Sequence, residues 1–228
     1  ASFEEYTLTL TDGEQSVTLQ HLLIGEVWLC AGQSNMVMPL NGFDYCPISD
    51  SNNVIADAPN HPGIRMVTIK PTVKLSPQEY AEGSWQQPTT ENAPKFSAAA
   101  YHYALTLQRT LQIPIGVITC AWGGSRVEGW LPKEILQTYK DEDLTLIGSD
   151  KSPVYLQSML MYNGILYPCH KYTIKGFIWY QGESNVRSSR TYAERLATMV
   201  KHWRSIWKQG DLPFYYVETV PFACEYKE

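Results

Sequence analysis

Five short runs dominated by apolar residues, several of them continuously so, at residues 26–30, 64–69, 116–120, 176–180 and 214–219, recur along this chain with longer mixed segments between them. A strand wetted on one face alternates apolar and polar residues, whereas a strand covered on both faces reads as an unbroken apolar run. The runs therefore predict a buried, mostly parallel sheet, and parallel neighbours need crossover connections that are usually helical. The strongest helical pattern covers 192–207, where Leu196, Met199, Val200, Trp203, Ile206 and Trp207 recur at spacings of three and four and form one apolar face. A second helix is predicted over 98–110, with Ser97 as its N-cap. The expected fold class is α/β. With 228 residues, 44% of them hydrophobic and 18% charged, the chain can bury a sizeable core, and α/β folds of this length often form one unit.

Residues 1–24 read differently. Two β-like stretches, 6–10 and 16–19, flank Thr11-Asp12-Gly13-Glu14, whose Asp-Gly pair favours a tight hairpin turn. Two strands alone are marginal in water. This segment is thus expected to be the edge of an N-terminal β domain, or an extension packed on a main domain of residues 25–228. Segments 41–62 and 71–94 are polar, rich in Pro, Asn and Ser, and read as long loops on the rim that follows the first two strands. A net charge of -5 without a long basic run excludes general affinity for nucleic acid. No apolar run approaches the ~20 residues needed to cross a bilayer. Five cysteines, Cys30, Cys46, Cys120, Cys169 and Cys224, lack metal-ligand spacing. Cys30 and Cys120 end apolar runs and are expected as buried thiols, while a Cys46–Cys169 disulfide stays open. Neither a metal nor another cofactor is expected.

Polar, glycine-bearing turns follow the first, third and fourth runs: Gly32-Gln33-Ser34-Asn35-Met36, Ala121-Trp122-Gly123-Gly124-Ser125 and Gln181-Gly182-Glu183-Ser184-Asn185. In open α/β sheets ligands bind beyond the carboxyl ends of strands, so all three belong to one candidate site. Ser34 taken alone fits either a turn or N-cap residue or a nucleophile. Paired glycines let backbone N–H groups turn toward a ligand, as an oxyanion formed by serine attack on an ester requires. Gly123-Gly124 also fits a tight turn with no further role. Gln181 and Asn185 are candidate donors to the same oxygen, and Glu183 is placed to orient a neighbour. The three turns together point to hydrolysis.

These residues also carry a resemblance. GQSNM at 32–36, WGGS at 122–125 with EGW at 128–130, and WYQGESN at 179–185 resemble, in order, the blocks of the sialate O-acetylesterase family within the SGNH-hydrolase superfamily. The resemblance spans roughly residues 20–220. It implies a three-layer α/β/α, flavodoxin-like SGNH-hydrolase domain and a metal-free serine esterase that removes O-acetyl groups from sialic acids or related sugars. It makes Ser34 the nucleophile and places the oxyanion hole at the Ser34 and Gly124 N–H groups and the Gln181 side chain, supported by Gln33, Gly123, Glu183 and Asn185. Arg126 becomes a candidate for the carboxylate of a sialic acid, against the alternative of pairing with Glu128 or another acid.

The family's general base is a histidine in an Asp-x-x-His context, and none of His21, His61, His102, His170 and His202 has an aspartate three residues before it. A further segment or a second chain is therefore expected to supply it. Two rivals remain: an esterase of the same fold acting on acetylated xylan or another plant polysaccharide, and a non-catalytic carbohydrate-binding fragment using rim aromatics such as Trp85, Trp122 and Trp130. A glycan substrate implies an extracytoplasmic place of action.

Overall fold

The structure, a computed structural model, describes residues 1–220, so Cys224 lies outside the described residues. The chain opens with β1 (Ser2–Thr11) and β2 (Ser16–Ile24), an antiparallel hairpin that forms a sheet of its own. Its turn is held by the Asp12 side chain, which accepts from the N–H groups of Glu14 and Gln15, and by Gly13 at φ +98°. Leu8 stands opposite Leu19 and Leu10 opposite Val17 on one face, while Thr9 meets Thr18 on the other. Both strands run longer than the stretches expected. The Glu5–Arg65 ion pair at 3.2 Å and Phe3 against Gly63 tie the hairpin to the main domain.

The predicted runs become β3 (Glu26–Gly32), β4 (Ile64–Thr68), β5 (Ile115–Ala121), β6 (Gly176–Tyr180) and β7 (Phe214–Tyr216). All pair in parallel, in the order β4-β5-β3-β6-β7. The first strand of this sheet lies between the third and the fourth, whereas a flavodoxin-like sheet places it between the second and the third. Around the sheet lie α1 (Ser34–Val37), α2 (Ser51–Asp57), α3 (Ala98–Leu111), α4 (Lys133–Leu136) and α5 (Ser189–Trp207). Helix α2 falls inside a segment expected to be a loop. Its Asn-rich start carries no apolar periodicity.

Successive strand residues point to opposite faces, and the core divides accordingly. Leu29, Ala31, Ile118, Phe177 and Trp179 pack with Met199, Trp203 and Trp207 of α5 on one face. Trp28, Cys30, Val117 and Ile178 pack with Tyr101, Ala104 and Leu105 of α3 on the other. The result is three layers, with each fully buried large apolar side chain contributing about 1.5 to 3 kcal/mol. Helix α3 starts where expected, since the Ser97 hydroxyl accepts from the Ala100 N–H at 3.2 Å, and it stops at Gln112 in a left-handed conformation. The four described cysteines are free. Cys46 is exposed, whereas the buried Cys169 has its sulfur 3.9 Å from that of Cys120, so the Cys46–Cys169 alternative does not form.

Candidate active site

Parallel register brings the three turns to one rim. Gly32 at the end of β3 pairs with Ala121 on one side and Tyr180 on the other, so the three central strands finish level. Gly32 has φ +150°, and a Cβ there would lie 2.7 Å from the Tyr180 carbonyl carbon and nearer still to its oxygen. Only glycine lets the strands stay together here while the chain turns into α1.

Helix α1 begins with Ser34, which is half-buried. Neither its hydroxyl nor its N–H has a hydrogen-bond partner among the described residues. The residues on either side are tied down instead. The Gln33 side-chain oxygen accepts from the N–H groups of Gly182 and Ser184 at 3.2 and 3.3 Å, stapling the first turn to the third. Asn35 donates to the Glu183 carboxylate at 2.6 Å, and the other Glu183 oxygen is buried without a partner. Gly123 faces Ser34, with room for a Cβ 3.9 Å from that of the serine. Gly124, at φ +75°, also leaves its N–H without a partner among the described residues. Ser34 and Gly123 thus face each other across the rim, with Gly124 next in the chain and the Tyr155 ring against it.

Beneath this rim runs a chain of polar side chains whose orientation follows from one carboxylate. Glu128 is fully buried and accepts from the Asn185 amide nitrogen at 3.2 and 2.9 Å. The Asn185 oxygen is thereby turned to accept from the Val127 N–H at 2.9 Å and from the Gln181 amide at 2.8 Å. The second Gln181 hydrogen goes to the Ser125 carbonyl at 3.0 Å, and the Gln181 oxygen stays buried without a partner. Both amides expected to donate to an oxyanion therefore have their hydrogens committed inside the protein. Tyr192 of α5 supports the same turn: its hydroxyl donates to the Gln181 carbonyl at 2.8 Å, and burial pushes its pKa up to about 12.

Arg126 does not face a substrate carboxylate either. Its guanidinium donates to Glu142 at 2.7 Å and to the Leu156 carbonyl at 2.9 and 3.1 Å, with Glu128 3.7 Å away. Arg195, buried to 2% exposure, pairs with Glu128, with Glu142 at 3.4 Å and with Asp141 at 2.7 Å. Burial, the largest single influence, opposes the Arg195 charge, but the three carboxylates together raise its pKa. The alternative expected for Arg126, pairing with Glu128 or another acid, is the one the structure shows, while Arg195, Asp141 and Glu142 join the cluster from segments distant in the sequence.

The expected aromatic rim also dissolves. Trp130 is fully buried against Trp179 and donates its indole N–H to Ser125. Trp85 lies near Gly116, at the opposite end of β5, which leaves Trp122 as the member of the trio at the site.

None of the histidines bonds Ser34. His61 pairs with Asp57 at 2.8 Å just before β4, at the amino ends of the strands. His21 pairs with Glu5 on the hairpin, His102 is exposed on α3, and His170 contacts the Tyr167 carbonyl before β6. His202 of α5 is half-buried with its ring nitrogen 2.8 Å from the Tyr162 hydroxyl. Among the described residues no group of three or more His, Cys, Asp or Glu side chains is arranged to hold a metal ion.

A pocket of about 160 Å³ opens beside Gly123, lined by Val37, Pro71, Ser97, Thr119, Ala121 and Trp122 among others. It is mostly apolar and sits at the carboxyl ends of β4 and β5. A serine with a free hydroxyl, two unpartnered N–H groups and a small apolar pocket form an arrangement suited to attack on a short acyl group.

Residues 24–228 match the family described as carbohydrate esterase, sialic acid-specific acetylesterase. The chain belongs to this family. It is 27% identical over 204 residues to the sialate O-acetylesterases of Pongo abelii and Homo sapiens, a match that covers 86% of this chain and 38% of each relative. The crystal structure of a carbohydrate acetylesterase from Xanthomonas citri is similar at 30% identity and a TM-score of 0.81, covering 92% of this chain and 45% of that one. The chain thus spans less than half the length of these relatives. In this member of the sialic acid-specific acetylesterase family, the polar relay from Glu128 to Gln181 and the pocket beside Gly123 are what the tertiary structure adds to the motifs.

Proposed function

We propose that this chain carries the acyl-transfer site of a serine esterase that removes O-acetyl groups from sialic acids or related acetylated sugars. The observation that supports it most is Ser34, half-buried with a free hydroxyl, beside two N–H groups without partners at the level ends of three central strands. Ser34 Oγ attacks the acetyl carbonyl carbon while a base takes its proton, and the carbonyl oxygen becomes an oxyanion. The N–H groups of Ser34 and Gly124 are its donors in this reading, and each such donor contributes about 3 to 4 kcal/mol to the transition state. Collapse expels the sugar oxygen, which takes the proton. Water then attacks the acetyl-serine by the same path, releasing acetate and restoring Ser34.

Gln181 acts here as a positioning residue that fixes Ser125 and the Gly124 turn, since its donors are engaged. Gln33, Glu183 and Asn185 hold the three turns in place. Because no histidine among the described residues bonds Ser34, we assign the base to a further segment carrying Asp-x-x-His. An acetylated-glycan substrate fits extracytoplasmic action, and among the described residues no helix is long and apolar enough to cross a membrane.

The test is acetate release from 4-nitrophenyl acetate by this chain and by a form extended through an Asp-x-x-His segment, each with and without Ser34→Ala. Turnover by the extended form that Ser34→Ala abolishes is the expected result. Turnover indifferent to Ser34→Ala in both forms would overturn the reading.

A further inference from the structure

With Arg126 engaged by Glu142 and the Leu156 carbonyl, the charge that meets an acidic sugar has to come from elsewhere on the rim. Two cavities adjoin there. The inner one, of about 160 Å³, reaches Gly123; the outer one, of about 520 Å³, is shallower and is lined by Pro39, Asn41, Phe43, Asp44 and Tyr45. Val37 and Lys95 line both, so they form the ridge between them. Lys95 is exposed, and its ammonium has no partner among the described residues. Arg187 and Arg190, the exposed cations by the third turn, line neither cavity.

The backbone under Lys95 is fixed. Residues Ala93–Lys95 form a 3-10 turn, and the chain around it is strapped to the segment that follows α1. Leu40 donates to the Phe96 carbonyl at 2.9 Å, Asn41 to that of Pro94 at 3.2 Å, and Ala98 to that of Met38 at 2.8 Å. The root of a free ammonium is therefore fixed between an acyl-sized pocket and a groove wide enough for a sugar. The inner pocket also contains the Thr119 hydroxyl, on a side chain 3% exposed, without a partner. A buried hydroxyl left unpaired beside a cavity is open to a hydrogen bond from water or a ligand there.

We infer that Lys95 is a specificity-determining residue that receives the carboxylate of an acidic acetylated sugar, whose acetyl group enters the inner pocket while its ring lies in the outer groove. The inference rests on the esterase reading and deepens it. Asp44, the one acid lining the outer groove, repels a carboxylate on that side and so favours the orientation that turns it toward Lys95. A lysine suits this task as a compact point charge on a flexible stem.

The test is binding, which needs no general base. The chain is titrated with N-acetylneuraminic acid and with its uncharged methyl ester, as wild type, Lys95→Ala and Lys95→Arg. The acid is expected to bind more tightly than the ester to the wild type. Lys95→Ala should weaken the acid about threefold to fivefold, the size of one solvent-exposed ion pair, leave the ester unchanged, and remove the salt sensitivity of the difference. Lys95→Arg should restore it. Equal effects of Lys95→Ala on acid and ester, no effect on either, or a wild type that does not prefer the acid would each overturn the proposal. Loss of Ser34-dependent acetate release would sink the esterase reading and leave this binding difference measurable, so the two failures are distinct.

Discussion

Replacing Glu128 with glutamine is expected to destabilise the protein by about 3 to 5 kcal/mol, the usual cost of removing one partner from a buried ion pair. The magnitude follows from what surrounds the carboxylate. One oxygen faces Arg195 and the Asn185 amide nitrogen; the other faces the same amide at 2.9 Å and Arg126 at 3.7 Å. Each of these neighbours is a hydrogen-bond donor. A glutamine is nearly isosteric but replaces one oxygen with an NH₂ group, so a donor meets a donor whichever way the amide turns. Arg195 would keep Glu142 and Asp141, of which Asp141 is mostly exposed and therefore a weaker partner. If Asn185 turned to relieve the clash, the Val127 N–H and the Gln181 amide would lose their acceptor. Urea unfolding followed by tryptophan fluorescence measures the effect. At an m-value of about 3 kcal/mol per M, the midpoint should fall by about 1 M or more. A shift below about 0.3 M would refute the claim that this carboxylate organises the relay.

Two further expectations concern other parts of the fold. Burial holds the His202 pKa below its ordinary value, and the nearby Glu134 offsets this in part. The unfolded chain therefore takes up the proton first, so the contribution of neutral His202 is complete above about pH 6.5 and is lost as pH falls through that value toward the folded pKa. Between pH 7 and pH 5 the wild type should lose more stability than His202→Gln in parallel denaturation curves, and equal losses would exclude His202 as a source. Gly32→Ala should cost about 2 to 4 kcal/mol through backbone strain and displacement of β6, seen as a Tm lower by about 5 °C or more. An unchanged Tm would show that the strands part freely at this point.

The sequence alone was sufficient for the α/β class and for most of the elements, but not for the strand order. Unbroken apolar runs encode burial on both faces, and spacings of three and four encode one covered helix face. Both signals are local, so β3 to β7, α3 and α5 emerged close to their observed limits. Glycine-bearing turns after the first, third and fourth runs also marked the rim, because a strand that ends in such a turn exposes its backbone in any parallel sheet. Helix α2 was missed, since its stability comes from where it docks and not from its composition.

Tertiary structure alone decided what the polar groups do. Whether Gln181 and Asn185 face a ligand depends on Glu128, on a distant segment, and nothing in their own neighbourhood reports that choice; for Arg126 the nearby Glu128 already offered pairing as the alternative, and Glu142 from another segment completes it. Trp130 and Trp85 left the rim for the same reason: an aromatic side chain serves a core or a surface according to what packs above it. Lys95 went unnoticed in a proline-rich stretch until the backbone bonds of residues 94–98 to residues 38–41 placed it between two cavities. Burial is written in the period of the sequence, but the direction of a hydrogen bond is settled only when the far end of the chain arrives.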